Sequence, residues 1–317
     1  MQDFLNNKQL MMKKIFFTLC FITAITELNA CDICGCGVGG NYIGILPDFN
    51  QKIAGLRYRY SALHSHVGTG GGATYLTTKE IFHTAEFWGG WNIRKKWRLM
   101  LSIPLILAEK TNQGTTKTKN GLGDISVSGF YNIINKKNVV GESRLLVQHL
   151  WVGAGVKLPT GKYNGNDKSN GTQNTNLFQL GTGSTDFMLN AMYDIRLQDA
   201  GINITGSYKI NTANKDAYRY GNKFSLNSQL YHKFSLGNST NISPNAGVLV
   251  ESSQKDLEKK METDASGGNI IMGTMGAEYI HKKFMMGFNW QTPLHQYLAN
   301  GIVQANNKAM LHIGIAF

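Results

Sequence analysis

Long apolar runs are almost absent from this chain. The one stretch that qualifies, Ile15 to Ile25, spans about eleven residues, well short of the roughly 20 that a helix needs to cross a bilayer. A bundle of spanning helices is therefore excluded. Proline is scarce (5 residues) and charged residues make up only 16%, which fits neither a disordered chain nor a helical one as well as a series of strands. Recognisable catalytic patterns are missing as well. There is no nucleophile elbow, no helical His-Glu-x-x-His and no Ser and His neighbouring on one strand face, so no catalytic residue is assigned and no enzyme is expected. Only an assembly of distant residues, His149 or His312 with a serine across an interior, is left open. The formal net charge of +12 is spread through turns and loops without the clustering that a nucleic-acid surface requires, and no such partner is expected.

What the chain does have is glycine, 36 residues of it, and alternation. It ends Met310-Leu311-His312-Ile313-Gly314-Ile315-Ala316-Phe317, a period-two strand closing on an aromatic residue. About twelve such segments occur, near 52–66, 79–93, 97–108, 121–134, 144–158, 177–195, 201–212, 218–234, 239–252, 268–281, 283–293 and 307–317, each bounded by turn residues. Alternate connections differ in length. Those at 94–96, 135–143, 196–200, 235–238 and 282 are short, while those at 67–78, 109–120, 159–176, 253–267 and 294–306 are long and polar. The stretch near 213–217 blurs the parity. This pattern predicts a single antiparallel transmembrane β-barrel over residues 52–317, in the bacterial outer membrane, with short turns and both termini in the periplasm. A mean hydropathy of −0.22 is compatible, because only every second strand residue faces lipid. Phe317 would then stand where barrel-assembly machinery reads a terminus.

Before the barrel lies a leader. Lys13-Lys14, the Ile15–Ile25 run and Ala30 have the charged, apolar and small-residue regions of a secretory signal peptide over residues 1–30, with residues 1–10 readable as an over-called start. Cleavage there removes Cys20 and leaves Cys31, Cys34 and Cys36 in a Cys/Gly-rich segment at 31–51. Three readings stay open. The thiols could clamp Cu(I) or Zn(II); Cys31 could be lipidated, with Cys34 and Cys36 as a pair; or the segment could be an oxidised tether in a compartment that favours disulfides.

Period-two parity assigns faces. Leu150, Val152, Ala154, Val156 and Leu158 fall on one side of their strand, and His149, Trp151, Gly153, Gly155 and Lys157 on the other. The same parity turns Arg57, Arg59, Glu86, Lys209, Glu278 and His312 inwards. With His149 and Lys157 these are the candidates for a solute path. Such charges could select solutes or pair across the interior and plug it. The pair His64 and His66 shares a face and is read as solvated. Met272, Met275, Met285 and Met286 are read as ordinary apolar material, and the polar stretch 162–176 as an exposed loop.

Three stretches occur in order: Gly121-Leu122-Gly123-Asp124-Ile125, Gly155-Val156-Lys157-Leu158-Pro159-Thr160-Gly161, and Gln179-Leu180-Gly181-Thr182-Gly183-Ser184-Thr185-Asp186. Together they resemble the outer-membrane barrel family named after the meta-cleavage pathway of phenol degradation, over roughly residues 50–317. The resemblance implies a porin-like barrel proposed to carry small solutes, hydrophobic or aromatic ones included, across the outer membrane. Physically, Gly121, Gly123, Gly181 and Gly183 read as places where strands bend or backbones approach closely. Asp124 and Asp186 read as acceptors for nearby backbone or for lumen cations. Pro159 and Gly161 read as turn material. The alternatives to a channel are a soft-metal-binding barrel using Cys31, Cys34 and Cys36, and a structural or surface-interaction barrel.

Overall fold

The computed structural model describes residues 52–68, 71–94, 96–141, 143–167 and 175–317. The leader and the segment with Cys31, Cys34 and Cys36 lie outside the described residues. Seventeen strands follow in chain order. They are β1 (Ile53–Ser65), β2 (Thr78–Arg94), β3 (Trp97–Asn112), β4 (Thr115–Leu122), β5 (Ile125–Val140) and β6 (Arg144–Leu158), then β7 (Asp186–Leu197), β8 (Ala200–Ile210), β9 (Tyr218–Arg219), β10 (Lys223–His232) and β11 (Phe234–Leu236). The last are β12 (Thr240–Ser253), β13 (Leu257–Glu258), β14 (Met261–Glu262), β15 (Gly268–His281), β16 (Phe284–Leu298) and β17 (Val303–Ala316).

Every barrel pairing is antiparallel between neighbours, and the sheet closes on itself. Ile53 of β1 faces Gly90 of β2 on one side and Ala316 of β17 on the other, while β10 pairs with both β8 and β12. With β4 and β5 forming one interrupted stave, and β10 and β11 another, the barrel has the expected twelve strands. Closure leaves no backbone edge in lipid, the condition a spanning sheet must meet. Among the described residues no helix is long and apolar enough to cross a membrane; the strands do the crossing. The 17 residues of β2 reach ~56 Å at about 3.3 Å per residue, so the wall extends beyond an apolar band of about 25 Å.

Burial follows the pleat. Along β10 buried and exposed residues alternate almost without exception, and the exposed ones before the terminal His232, Phe224, Leu226 and Leu230, are apolar. On β17 Leu311, Ile313 and Ile315 face outwards while Met310 and His312 are buried inside. Trp91, Trp97, Tyr131, Phe234, Phe284 and Phe317 are exposed near the short-turn end, forming the aromatic girdle typical of an interface.

Three segments depart from the sequence expectation. Residues 109–120 are not a loose loop. β3 and β4 continue as a hairpin whose tip, Gln113 and Gly114, has positive φ at both positions, the geometry of a type I′ turn. Residues 294–306 are also mostly strand, with β16 and β17 joined by a tight turn in which Ala299, Asn300 and Gly301 all have positive φ. In both, polar strand residues above the membrane band look like loop because no lipid enforces apolar alternation there. Third, residues 177–185 are not the start of a wall strand. They fold into the barrel, and Leu177 through Thr182 are buried on every side. The blurred connection also resolves: Tyr218–Arg219 leaves the wall and joins β13 and β14 in a small sheet on the long-loop side.

Candidate functional site: the barrel lumen

The lumen is lined by the inward set of each strand and then filled by the long connection after β6. Towards the periplasm, Ile53, Trp88, Phe130, Trp151, Met192, Met285 and Ala316 form an apolar floor. Towards the outside, wall residues Leu63, Phe82, Ile106, Leu249 and Met272 surround Leu177, Phe178 and Leu180 of the inward segment, with Tyr218 and Tyr220 beside them.

Between and around these clusters the charges are paired. Glu86 on β2 meets Arg57 at 3.5 Å and Arg59 at 3.0 Å from β1 and accepts a hydrogen bond from Ser102 on β3. The Arg57 guanidinium sits 5.2 Å from the Trp88 ring centroid, a cation–π contact above the apolar floor. His312 Nε2 lies 3.0 Å from Glu278 Oε2, although the strand between them, β16, separates β15 from β17. Gly287 makes this possible. A Cβ there would overlap both Glu278 Oε2 and His312 Cε1. Nearer the outside, Glu251 binds Lys223 at 3.1 Å and, across the interior, Lys308 at 3.2 Å.

The three motif stretches meet in one buried node. Lys157 Nζ lies 2.5 Å from Asp124 Oδ2 and 2.9 Å from Asp186 Oδ2, donates to Thr182 Oγ1 and reaches the Ser184 carbonyl at 3.1 Å. Asp124 also accepts from the backbone N–H of Gly161 and of Thr182, each at 2.9 Å. Asp186 accepts from Ser184 Oγ at 2.8 Å and Thr212 N–H at 3.0 Å, with Lys209 at 3.7 Å. The node requires two backbones to touch. A Cβ on Gly161 would come within 2.7 Å of the Gly181 Cα, closer than any side chain tolerates. Gly183 has φ +69° and Gly121 lies against Leu180, while Gly123 passes over Ile106 and Pro104. Pro159 ends β6 and is exposed, and Thr160 beside it bonds the Gly123 carbonyl at 2.7 Å.

A second latch holds the same segment. Lys119 of β4 donates to the Phe178 carbonyl at 2.6 Å, pairs with Asp167 at 2.6 Å and lies 4.5 Å from the Phe178 ring centroid. Tyr220 Oη donates to the Asn176 carbonyl at 3.2 Å. His149 is half-buried in the neighbourhood of Asp194, which accepts from Tyr231 Oη at 3.0 Å and Asn203 at 3.3 Å.

Arg57, Arg59, Glu86, Lys157, Lys209, Glu278 and His312 thus all lie on the inner face, in three separate groups. Lys308, Lys223, Glu251 and the plug residues Phe178, Tyr218 and Tyr220 were not singled out from sequence. Parity with His312 suffices to place Lys308 inside, whereas nothing in the alternation of 177–185 reveals that both of its faces are covered. His64 is the penultimate residue of β1 and His66 has φ 58° just beyond the strand. Met272 and Met285 point inwards, Met275 and Met286 outwards. Among the described residues no group of three or more His, Cys, Asp or Glu is placed to hold a metal ion.

This closed barrel with lipid-facing apolar staves is a transmembrane β-barrel of the bacterial outer membrane. The chain belongs to the family described as "Putative MetA-pathway of phenol degradation", whose profile matches residues 69–294. None of the curated proteins matches it. Among solved structures it is similar to an outer-membrane channel from Pseudomonas putida F1, at 14% identity and a TM-score of 0.60, covering 88% of this chain and 98% of that one. Weaker likenesses are the β-domain of the Bordetella autotransporter BrkA (10% identity, TM-score 0.45, 83% and 99% covered) and the NanC porin (9%, 0.37, 83% and 98%).

Proposed function

We propose that the protein is a channel or transporter for small solutes, hydrophobic and aromatic ones foremost, and that the inward segment 175–185 sets its resistance. The observation that carries this reading is the segment itself. It is a connection folded into the barrel and latched there by Lys157 and Lys119, lining the path with Leu177, Phe178 and Leu180. Glu86 is held between Arg57 and Arg59 and Glu251 between Lys223 and Lys308, so these lumen charges are engaged with one another and not turned to the path. A flat apolar solute instead meets aromatic faces above and Trp88, Phe130 and Trp151 below, the kind of apolar lining with few placed polar groups that small-molecule sites use.

The test is uptake into proteoliposomes, with the uncharged aromatic phenyl β-glucoside compared against arabinose. Faster entry of the aromatic solute, and slowing of it by excess phenol, is the expected result. Absence of any protein-dependent flux or conductance would overturn the proposal in favour of a structural barrel.

A further inference from the structure

Cations that are scattered in sequence are gathered by the fold at one rim. Arg94 and Lys96 flank the β2–β3 turn, and Lys282 and Lys283 occupy the β15–β16 turn. Lys136, Lys137 and Arg144 lie on the β5–β6 hairpin, which runs past the last β3 partner at Trp97↔Tyr131 and so projects from the short-turn side. Lys52 immediately precedes β1. All are exposed, and none takes part in an ion pair among the described residues. Against them, among the described residues, this rim sets Asp199, and in sequence Glu142 falls within the β5–β6 connection.

The opposite rim is built differently. There the signs are mixed: Lys119 pairs with Asp167, Lys255 with Asp264 at 3.1 Å and Lys110 with Glu80 at 3.7 Å, and the exposed Lys117, Lys215, Lys259 and Lys260 share the rim with the exposed Asp216 and Glu262. Apolar side chains interleave the periplasmic cations: Val139 and Val140 are 69% and 47% exposed at the hairpin end, and Trp97 and Phe284 sit beside their turns. Basic groups above exposed apolar and aromatic residues, at the level of an interface, match a leaflet of anionic headgroups.

We propose that the periplasmic rim binds anionic phospholipid of the inner leaflet, recruiting phosphatidylglycerol-type headgroups to the short turns. It does so through unpaired Lys and Arg, each favouring an anionic surface, while the adjacent girdle fixes their depth. Such attraction is screened within a Debye length, about 10 Å at 0.1 M salt and 3 Å at 1 M, so it must be salt-sensitive.

The test uses the full chain reconstituted in phosphatidylcholine with spin-labelled phosphatidylglycerol or phosphatidylcholine, reading the motionally restricted fraction. Wild type should favour phosphatidylglycerol about three- to five-fold, falling towards parity in 1 M salt. The variant K136Q/K137Q/R144Q/K282Q/K283Q should lose most of that preference while keeping heat-modifiable migration. If it does not fold, K136Q/K137Q and K282Q/K283Q separately should each remove part. Parity in the wild type would overturn the proposal, as would an undiminished preference in the variants. Loss caused instead by K117Q/K215Q/K259Q/K260Q, on the opposite rim, would also overturn it.

Discussion

Replacing Lys157 by Met removes the cation at the centre of the motif node while keeping side-chain length. In the native barrel its ammonium touches Asp124 and Asp186, whose side chains are fully inaccessible. After the change Asp186 keeps Lys209 at 3.7 Å and Asp124 keeps two backbone N–H groups, so each carboxylate is only partly compensated. Breaking a buried pair by deleting one partner costs about 3–5 kcal/mol. The cheapest relief is release of the segment that Asp124 holds through Thr182, which admits water to both carboxylates. At roughly 1.4 kcal/mol per decade, the open population rises by about 10² to 4 × 10³. Single-channel recordings should then show frequent open events, and limited proteolysis should cut within 175–185. The double variant D124N/K157M removes both charges together and should recover most of the closed behaviour, a strongly non-additive cycle. Unchanged conductance and protection in K157M, or plain additivity in the cycle, would refute the reasoning.

Other predictions concern packing and depth. Gly287→Ala should destabilise the barrel by about 1–3 kcal/mol through overpacking, because its Cβ displaces the Glu278–His312 pair. Gly129→Ala, which meets nothing within 4 Å, should stay within about 0.5 kcal/mol; guanidinium titrations of folding into lipid vesicles compare the two. Gly161→Ala should shift the same titration by about 1–3 kcal/mol and also raise conductance, since its Cβ pushes against Gly181 in the latched segment. Phe87→Arg, halfway along β2 and facing lipid, should cost about 2–4 kcal/mol, whereas Ile315→Arg near the periplasmic interface should cost about 0–1. Equal costs at the two sites would mean the membrane lies at a different height on the barrel.

Much of the wall was legible because lipid enforces it. β6 and β15 fall at residues 144–158 and 268–281, where the alternation placed them, and parity alone put Arg57, Glu86 and His312 inside. Legibility failed where that enforcement stops. Above the apolar band the β3–β4 hairpin is Thr-Thr-Lys-Thr-Lys-Asn in sequence and strand in space. In 177–185 every residue from Leu177 to Thr182 is enclosed by protein, so side chains on both faces are free to be apolar or hydrogen-bonded and no period distinguishes plug from wall.

The sequence by itself therefore determined the solvent, the strand number and the side of each residue within the membrane-crossing part of the wall, since these follow from local period and loop length. Which inward charge meets which depended on distance around the barrel. Lys308 finds Glu251 only because the wall curves, turning inward side chains of β17 and β12 towards each other although β15 and β16 lie between, and Glu278 reaches His312 only over a glycine in the strand between. Tertiary structure likewise decided that three glycine-rich stretches become one node. That depends on backbones meeting inside the barrel, and no local pattern in the chain encodes such a meeting.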